Sequence, residues 1–318
     1  MPWKEFPMQE QRTALVHLVR SLHYSVSQAA REFGVSRKTA HKWLARCRDD
    51  PNVPLLDRSR RPSRSPARTQ ATLLTDYAGA LAYTGDYVRA QQIYEEAAAL
   101  WQALDDTGGL AWTTCLLGGI AQYREEYAQA EALWQEGLAL FRRSGSGDME
   151  IAWALYGLGG VAELQGNVSR AAELLAESLA LQRAGDGKVD PAWTLVRAGQ
   201  VALLQGSIDQ AIAFVQEGVQ RHRAMGNPRG TAEGLVVLGR IALAQQRAAR
   251  AVQLFAAADK LLAAAGWQMY PKDQQDFDRA ITNGRELLDQ ERFHSAWSAG
   301  QTMTLAQAVD YALAHMHS

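Results

Sequence analysis

The chain has 318 residues, 47% of them apolar, and a formal net charge of −1, enough apolar material for one long or two ordinary domains. Two cysteines exclude a disulfide framework and a cysteine-rich metal site, and no apolar run approaches the roughly 18 residues that span a bilayer. The charge is uneven: residues 1–70 carry 14 Lys/Arg against 6 Asp/Glu, and the rest 19 against 28, so an anionic partner is expected for the basic head alone. Ala, Leu, Gln, Glu and Arg dominate and β-branched residues are few, which predicts an all-α chain. The opening Met1-Pro2-Trp3-Lys4-Glu5 lacks the apolar run of a signal peptide, and with the sparse cysteines this sets a cytoplasmic expectation.

In the head, residues 9–21 read as a helix with Leu15, Leu18, Val19 and Leu22 on one face. Residues 26–44 carry a helix-turn-helix pattern: Ala30 small where two helices cross, Gly34 at the turn, Val35 at the corner and Ser36 as N-cap, with Ala40, Trp43 and Leu44 inward. The second helix then presents Ser36, Arg37, Lys38 and Thr39 in its first turn, His41 and Lys42 on its outer side and Arg46 beyond. These types reach base edges and phosphates, although a solvated basic hairpin has the same composition. Residues 57–69 are rich in Arg and Pro without periodicity and read as extended. Arg58, Arg60, Arg61 and Arg64 suit a phosphate backbone or a minor groove, or else a solvated linker.

From about residue 71 the chain repeats itself. Ala90, Ala130, Ala171, Ala211 and Ala251 each follow a short turn-like segment and lie 40, 41, 40 and 40 residues apart; twelve residues before each stands Ala78, Gly118, Gly159, Gly199 or Gly239. Each unit therefore reads as two antiparallel helices that approach closely at these small residues. Larger side chains fill the space beside them: Leu117, Leu158 and Leu238 on the first helix, and Trp134, Leu175, Val215 and Phe255 on the second. No hairpin buries its face alone, so stacking forms the core. Near the C-terminus a helix from Leu305 to about Ala314 is predicted to close the stack, with Thr304 and Gln307 as a capping box.

One column is chemically distinctive. Trp112, Trp153 and Trp193 stand at equivalent places near the start of three successive first helices, with Glu233 at the fourth and Tyr156 one turn beyond Trp153. Two readings stay open: an aromatic ladder in a partner-binding groove, or packing between neighbouring repeats. Gly185-Asp186-Gly187-Lys188 lacks phosphate-loop spacing and reads as an inter-repeat turn. No histidine pair has zinc-site spacing, and His315 and His317 near the C-terminus suit adventitious metal at most. No cofactor and no catalytic constellation is expected, so an enzyme is the least favoured class.

The Leu-Gly/Ala column set resembles the tetratricopeptide repeat, with a period of about 40 in place of 34. Forty-residue versions resemble the sensor arms of LuxR-family and related bacterial transcriptional regulators, as does the tail through Phe255–Asp259 and Phe293–Leu305. The head resembles the N-terminal domain of integrase-class insertion-sequence transposases through Met1–Glu5, Arg31–Thr39, Lys42-Trp43-Leu44 and Asp57–Pro62. That resemblance implies a grip on terminal DNA and a ribonuclease-H-like catalytic domain to follow; the sequence after residue 70 has no run of strands to supply one. The expected organisation is a helix-turn-helix domain over residues 1–50, a linker over 51–70, a solenoid over 71–265 and a helical cap over 266–318. The expected partners are DNA for the head and a protein, peptide or effector for the solenoid, with no membrane partner and the oligomeric state open. The leading reading is a DNA-binding regulatory protein. The alternatives are a scaffold with a vestigial head, a catalytically inactive transposase-related DNA-binding protein, and a fusion of two truncated genes.

Overall fold

The computed structural model describes residues 15, 19, 25–33, 35–46, 66–184, 190–266 and 269–314. Among these there are fifteen helices and no strand: α1 (Val26–Glu32), α2 (Arg37–Arg46), α3 (Pro66–Tyr83), α4 (Tyr87–Ala103), α5 (Thr107–Tyr123), α6 (Tyr127–Ser144), α7 (Asp148–Leu164), α8 (Val168–Ala184), α9 (Ala192–Leu204), α10 (Ile208–Ala224), α11 (Pro228–Ala244), α12 (Ala248–Ala265), α13 (Pro271–Glu286), α14 (Gln290–Thr302) and α15 (Leu305–Leu313). They fall into two compact units, Met1–Ser65 and Pro66–Ser318.

In the first unit α1 starts at a capping box: Ser25 Oγ accepts from the Gln28 backbone, and Gln28 Oε1 accepts from the Ser25 backbone N–H. The chain turns after Phe33, with the Val35 N–H donating to the Ala30 carbonyl at 3.0 Å. Ser36 then caps α2 by accepting from the Thr39 N–H at 3.1 Å. Leu15, Ala29, Ala30 and Ala40 form a small buried core, with Val19, Val26, Phe33, Val35 and Trp43 packed against it. The rest of the expected helix at 9–21, and Gly34, lie outside the described residues.

The second unit is the all-α solenoid: five helical hairpins, α3/α4 through α11/α12, closed by α13, α14 and α15. One expectation is corrected at its start. Residues 66–70, read as the end of an extended linker, belong to α3. Pro66 occupies the first helical position, where the missing N–H has no partner to lose.

The small-residue columns act as the sequence implies. Ala78, Ala90, Ala130, Ala171, Ala211 and Ala251 are fully buried. A Cβ placed on Gly118 would lie 2.8 Å from Trp134, and one on Gly159 2.8 Å from Leu175; Gly199 and Gly239 would overlap Val215 and Phe255 in the same way. The glycines thus let the large residue of the second helix lie against first-helix backbone. Trp134 also fills the space left by Gly157 in the next hairpin and donates its indole N–H to Gln122 at 3.0 Å.

At most of the turns in the hairpin stack one residue takes a left-handed conformation. Gly85, Gly166, Gly206 and Gly226 do so freely, whereas Asp105, Glu125 and Gln246 hold φ of 51°, 61° and 60°. Side chains carry a penalty there that glycine does not.

The cap is built as expected at Thr304, whose hydroxyl and Gln307 exchange reciprocal bonds at the start of α15. Helix α14 lies against α12 at Gly300, where a Cβ would overlap the Gln253 carbonyl. Arg250 on α12 is 8% exposed and donates to the carbonyls of Tyr311, Ala312 and Ala314, at and just beyond the end of α15.

Candidate functional site

The first helices of hairpins two to four bring Trp112, Trp153, Tyr156 and Trp193 to one cavity of about 510 Å³. The four site residues read from the sequence in this unit therefore do meet. Their arrangement combines both open readings. Trp112 stacks on Trp153 with centroids 4.3 Å apart, and Trp153 meets the buried Trp134 edge-on at 4.9 Å, so Trp112 and Trp153 pack across repeats while facing the cavity. Trp193 leaves the stack: it takes the edge of His222 at 4.5 Å, and Arg229 lies over it at 5.0 Å. Trp112 and Met149 remain 38% and 48% exposed at the edge of the cavity.

Deeper in, the cavity carries charge. Arg197 on α9 pairs with Glu163 on α7 at 3.1 Å and lies over Tyr156 at 5.2 Å. Arg229 pairs with Glu233, one turn later on α11, at 3.2 Å. Arg240 reaches Asp276 on α13 at 3.7 Å. Burial pushes the Glu163 and Glu233 carboxyls above their ordinary range, opposed by Arg197 beside the first and Arg229 beside the second. Burial likewise raises Asp273, against the pull of Arg197 and Arg240. For Arg197 burial works against the charge, but Tyr156, Glu163 and Asp273 more than reverse it.

The remaining wall comes from beyond the repeats. Met269, Tyr270 and Asp273, before and within the first turn of α13, lie across the face formed by the first helices. Tyr270 stacks on Tyr123 of α5 at 4.0 Å, and Tyr123 on Tyr87 of α4 at 4.5 Å. Burial raises the Tyr270 and Tyr123 phenols, so both stay protonated in the physiological range. A second cavity of about 280 Å³ shares Trp153, Tyr156, Arg197, Arg229 and Tyr270 with the first; Tyr270 and the two arginines thus stand on walls common to both.

Gln182, Arg197, Arg229 and the 269–273 segment escape the sequence reading. One signal does exist for the pairs. Arg197–Glu163, Arg183–Glu217 and Gln165–Glu131 all join positions 34 apart, and Arg142–Glu177 positions 35 apart, so complementary polar residues near one repeat apart mark neighbouring helices.

In the head, α2 exposes Arg37, Lys38, His41 and Lys42, with Thr39 half-buried and Ser36 engaged in capping. No acidic residue lies in its first turn. Arg46 ends α2, and its side chain, like Arg58, Arg60, Arg61 and Arg64, lies outside the described residues, as do Gly185–Lys188, His315 and His317. Among the described residues no group of three His, Cys, Asp or Glu is placed to hold a metal, and no helix is long and apolar enough to cross a membrane. Cys115 is buried, and burial pushes its thiol far up, so it is no nucleophile.

Three sequence families match this chain. The MalT-like TPR region covers residues 111–280, the tetratricopeptide repeat covers 69–143, and the leucine-zipper of insertion element IS481 covers 8–79. No curated protein matches. Among solved structures, the Rap conjugation gene regulator of plasmid pLS20, in complex with the Phr* peptide, is 13% identical at a TM-score of 0.50, over 90% of this chain and 75% of that one. A putative kinesin light chain of Podosopora anserina with TPR-like repeats is 13% identical at 0.47, over 67% of this chain and 100% of that one. PilF of Pseudomonas aeruginosa is 15% identical at 0.47, over 74% and 90%. At these identities the structural likeness concerns the fold alone.

Proposed function

Since the chain belongs to the family of the MalT-like TPR region, we propose that its solenoid is the sensor arm of a DNA-directed regulatory protein and takes a small effector or short peptide in the 510 Å³ cavity. The observation that carries this is the convergence of rings and paired charges from four successive hairpins, roofed by the 269–273 segment. A volume of this size, walled by five aromatic rings and by charged groups held in place by their partners, is in the range of ligand sites. The Rap regulator, which shares the fold, is described with a peptide bound, which supports the same class of occupant.

The head supplies the DNA contact in this reading, through Arg37, Lys38, His41 and Lys42 on α2 and the arginines of the following segment. The match of residues 8–79 to an insertion-element region supports it. The same match favours a second reading, a transposon-related protein that holds element ends without cutting them.

Two measurements test the proposal on the full chain. Duplex binding at two salt concentrations should weaken with salt and fall uniformly across sequences when Arg37 and Lys38 are both changed to Ala. A thermal-shift screen of peptides and small metabolites should yield ligands that raise the melting temperature of the wild type and leave Trp193→Leu unmoved. DNA binding indifferent to the Arg37/Lys38 change removes the role of the head; ligands that act equally on Trp193→Leu remove the cavity. Preference for the inverted repeats of an insertion element over other duplexes would select the second reading.

A further inference from the structure

The hydrogen-bonding groups around the cavity are unequally used. Its three guanidiniums are all engaged by protein: Arg197 by Glu163 and the face of Tyr156, Arg229 by Glu233 and the face of Trp193, Arg240 by Asp276. Two acceptors are not. Gln182, on the last turn of α8, lines the cavity and is only 9% exposed, yet its Oε1 has no hydrogen-bond partner. Asp273 on the roof lies half-buried in the field of Arg197 and Arg240, yet makes no direct hydrogen bond or close ion pair among the described residues. A buried acceptor without a donor is destabilising, and native structures rarely keep one without a reason.

Charge points the same way. Glu163, Asp190, Glu233 and Asp273 line the cavity against Arg197, Arg229 and Arg240, one more acid than base. An anionic ligand would meet four carboxylates and no unengaged guanidinium. A cation would meet the Asp273 carboxylate, which lies in the field of Arg197 and Arg240 without a direct bond to either, and the faces of tryptophan and tyrosine rings, which attract cations through their quadrupole.

Resting on the reading of this cavity as the ligand site, we propose that the ligand is an amine: a protonated nitrogen carried on an aromatic or apolar body, its N–H groups given to Gln182 Oε1 or the Asp273 carboxylate. The body lies against Trp153 and Trp193. The nitrogen belongs either to a free small amine or to the N-terminus or a lysine of a short peptide.

The test is isothermal titration of the full chain with three compounds that share one ring and differ in charge: tryptamine, tryptophol and indole-3-propionate. Tryptamine should bind at least tenfold tighter than the other two. Gln182→Leu or Asp273→Asn, whichever acceptor holds the nitrogen, should weaken tryptamine about tenfold, and indifference to both would overturn the amine. Circular dichroism melting confirms that each variant is folded. A peptide beginning with Trp, compared with its N-acetylated form, separates the sources. Binding of the free form tighter than tryptamine identifies a peptide ligand; weaker binding identifies a small amine. Equal binding of tryptophol or indole-3-propionate overturns the amine and leaves the cavity a ligand site. Binding of none of the three overturns the amine, and if the thermal-shift screen also gives no hit the site itself falls.

Discussion

Gly159 offers a direct measure of what holds each hairpin together. A Cβ there would lie 2.8 Å from Leu175 Cγ and 2.9 Å from its Cδ2, but 3.6 Å from the Ala171 carbonyl. The obstacle is one side chain, about 1 Å inside the usual carbon–carbon separation. Overpacking of this degree costs about 1–3 kcal/mol, while alanine gains about 1 kcal/mol in helix propensity. Gly159→Ala should therefore lose about 0–2 kcal/mol, where an unobstructed site would gain about 1. Leu175 is 1% exposed, so Leu175→Ala alone should lose about 2–5 kcal/mol. Together the two should lose less than Leu175→Ala alone, because the new methyl enters space the leucine vacates; the coupling is about 2 kcal/mol. Gly119, where a Cβ would meet nothing within 4 Å, is the control: Gly119→Ala should be neutral or gain up to about 1 kcal/mol. The assay is guanidinium unfolding followed by far-ultraviolet circular dichroism. A Gly159→Ala chain stabilised by about 1 kcal/mol over the wild type, or additive effects in the double variant, would refute the close-approach account.

Burial lowers the His222 imidazole to about 4, and neither ring nitrogen has a hydrogen-bond partner. The folded state thus resists protonation that the unfolded chain accepts from about 6.5 downward. Stability should be complete above pH 6.5 and fall by roughly 3 kcal/mol between 6.5 and 4; denaturation midpoints against pH should show this loss and His222→Phe should abolish it. Arg250→Met leaves three carbonyls at the end of α15 without their donor and should cost about 2–4 kcal/mol, with hydrogen exchange accelerating first in residues 305–313. Gln246 holds φ of 60°, so Gln246→Gly should raise stability by about 0.5–1 kcal/mol, visible as a higher melting temperature. Gly166→Ala, at the equivalent turn, should do the reverse.

The hairpins were legible because each depends on residues a fixed distance apart in one unit. The glycine and alanine columns, the large residue four places after each alanine, and the Thr304–Gln307 cap all obey local geometry, and the structure places them accordingly. The tryptophan column was legible as a column, not as a surface. Whether Trp193 continues the Trp112–Trp153 stack depends on the angle between hairpins and on His222 and Arg229 beside it, and no single repeat encodes that angle. The 269–273 segment was illegible for a different reason. It follows the last repeat and lies against α5, so its destination is set by the path of the whole arc. Gln182 looked like one more polar residue at a helix end; only the fold shows that its Oε1 is enclosed and left without a donor.

The Tyr87–Tyr123–Tyr270 stack changes how this arm deforms. A stack of repeats that touch only their neighbours behaves as a spring with free ends, and its stability is close to a sum over repeats and interfaces. Here the stretch of chain leaving the fifth hairpin is fastened to the first and second, as a string is to a bow. Bending at any one interface then strains all the others. The unit should unfold in fewer, more cooperative steps than an open array of equal length, and anything that loosens Tyr270 from Tyr123 should relax the curvature of the entire arc at once.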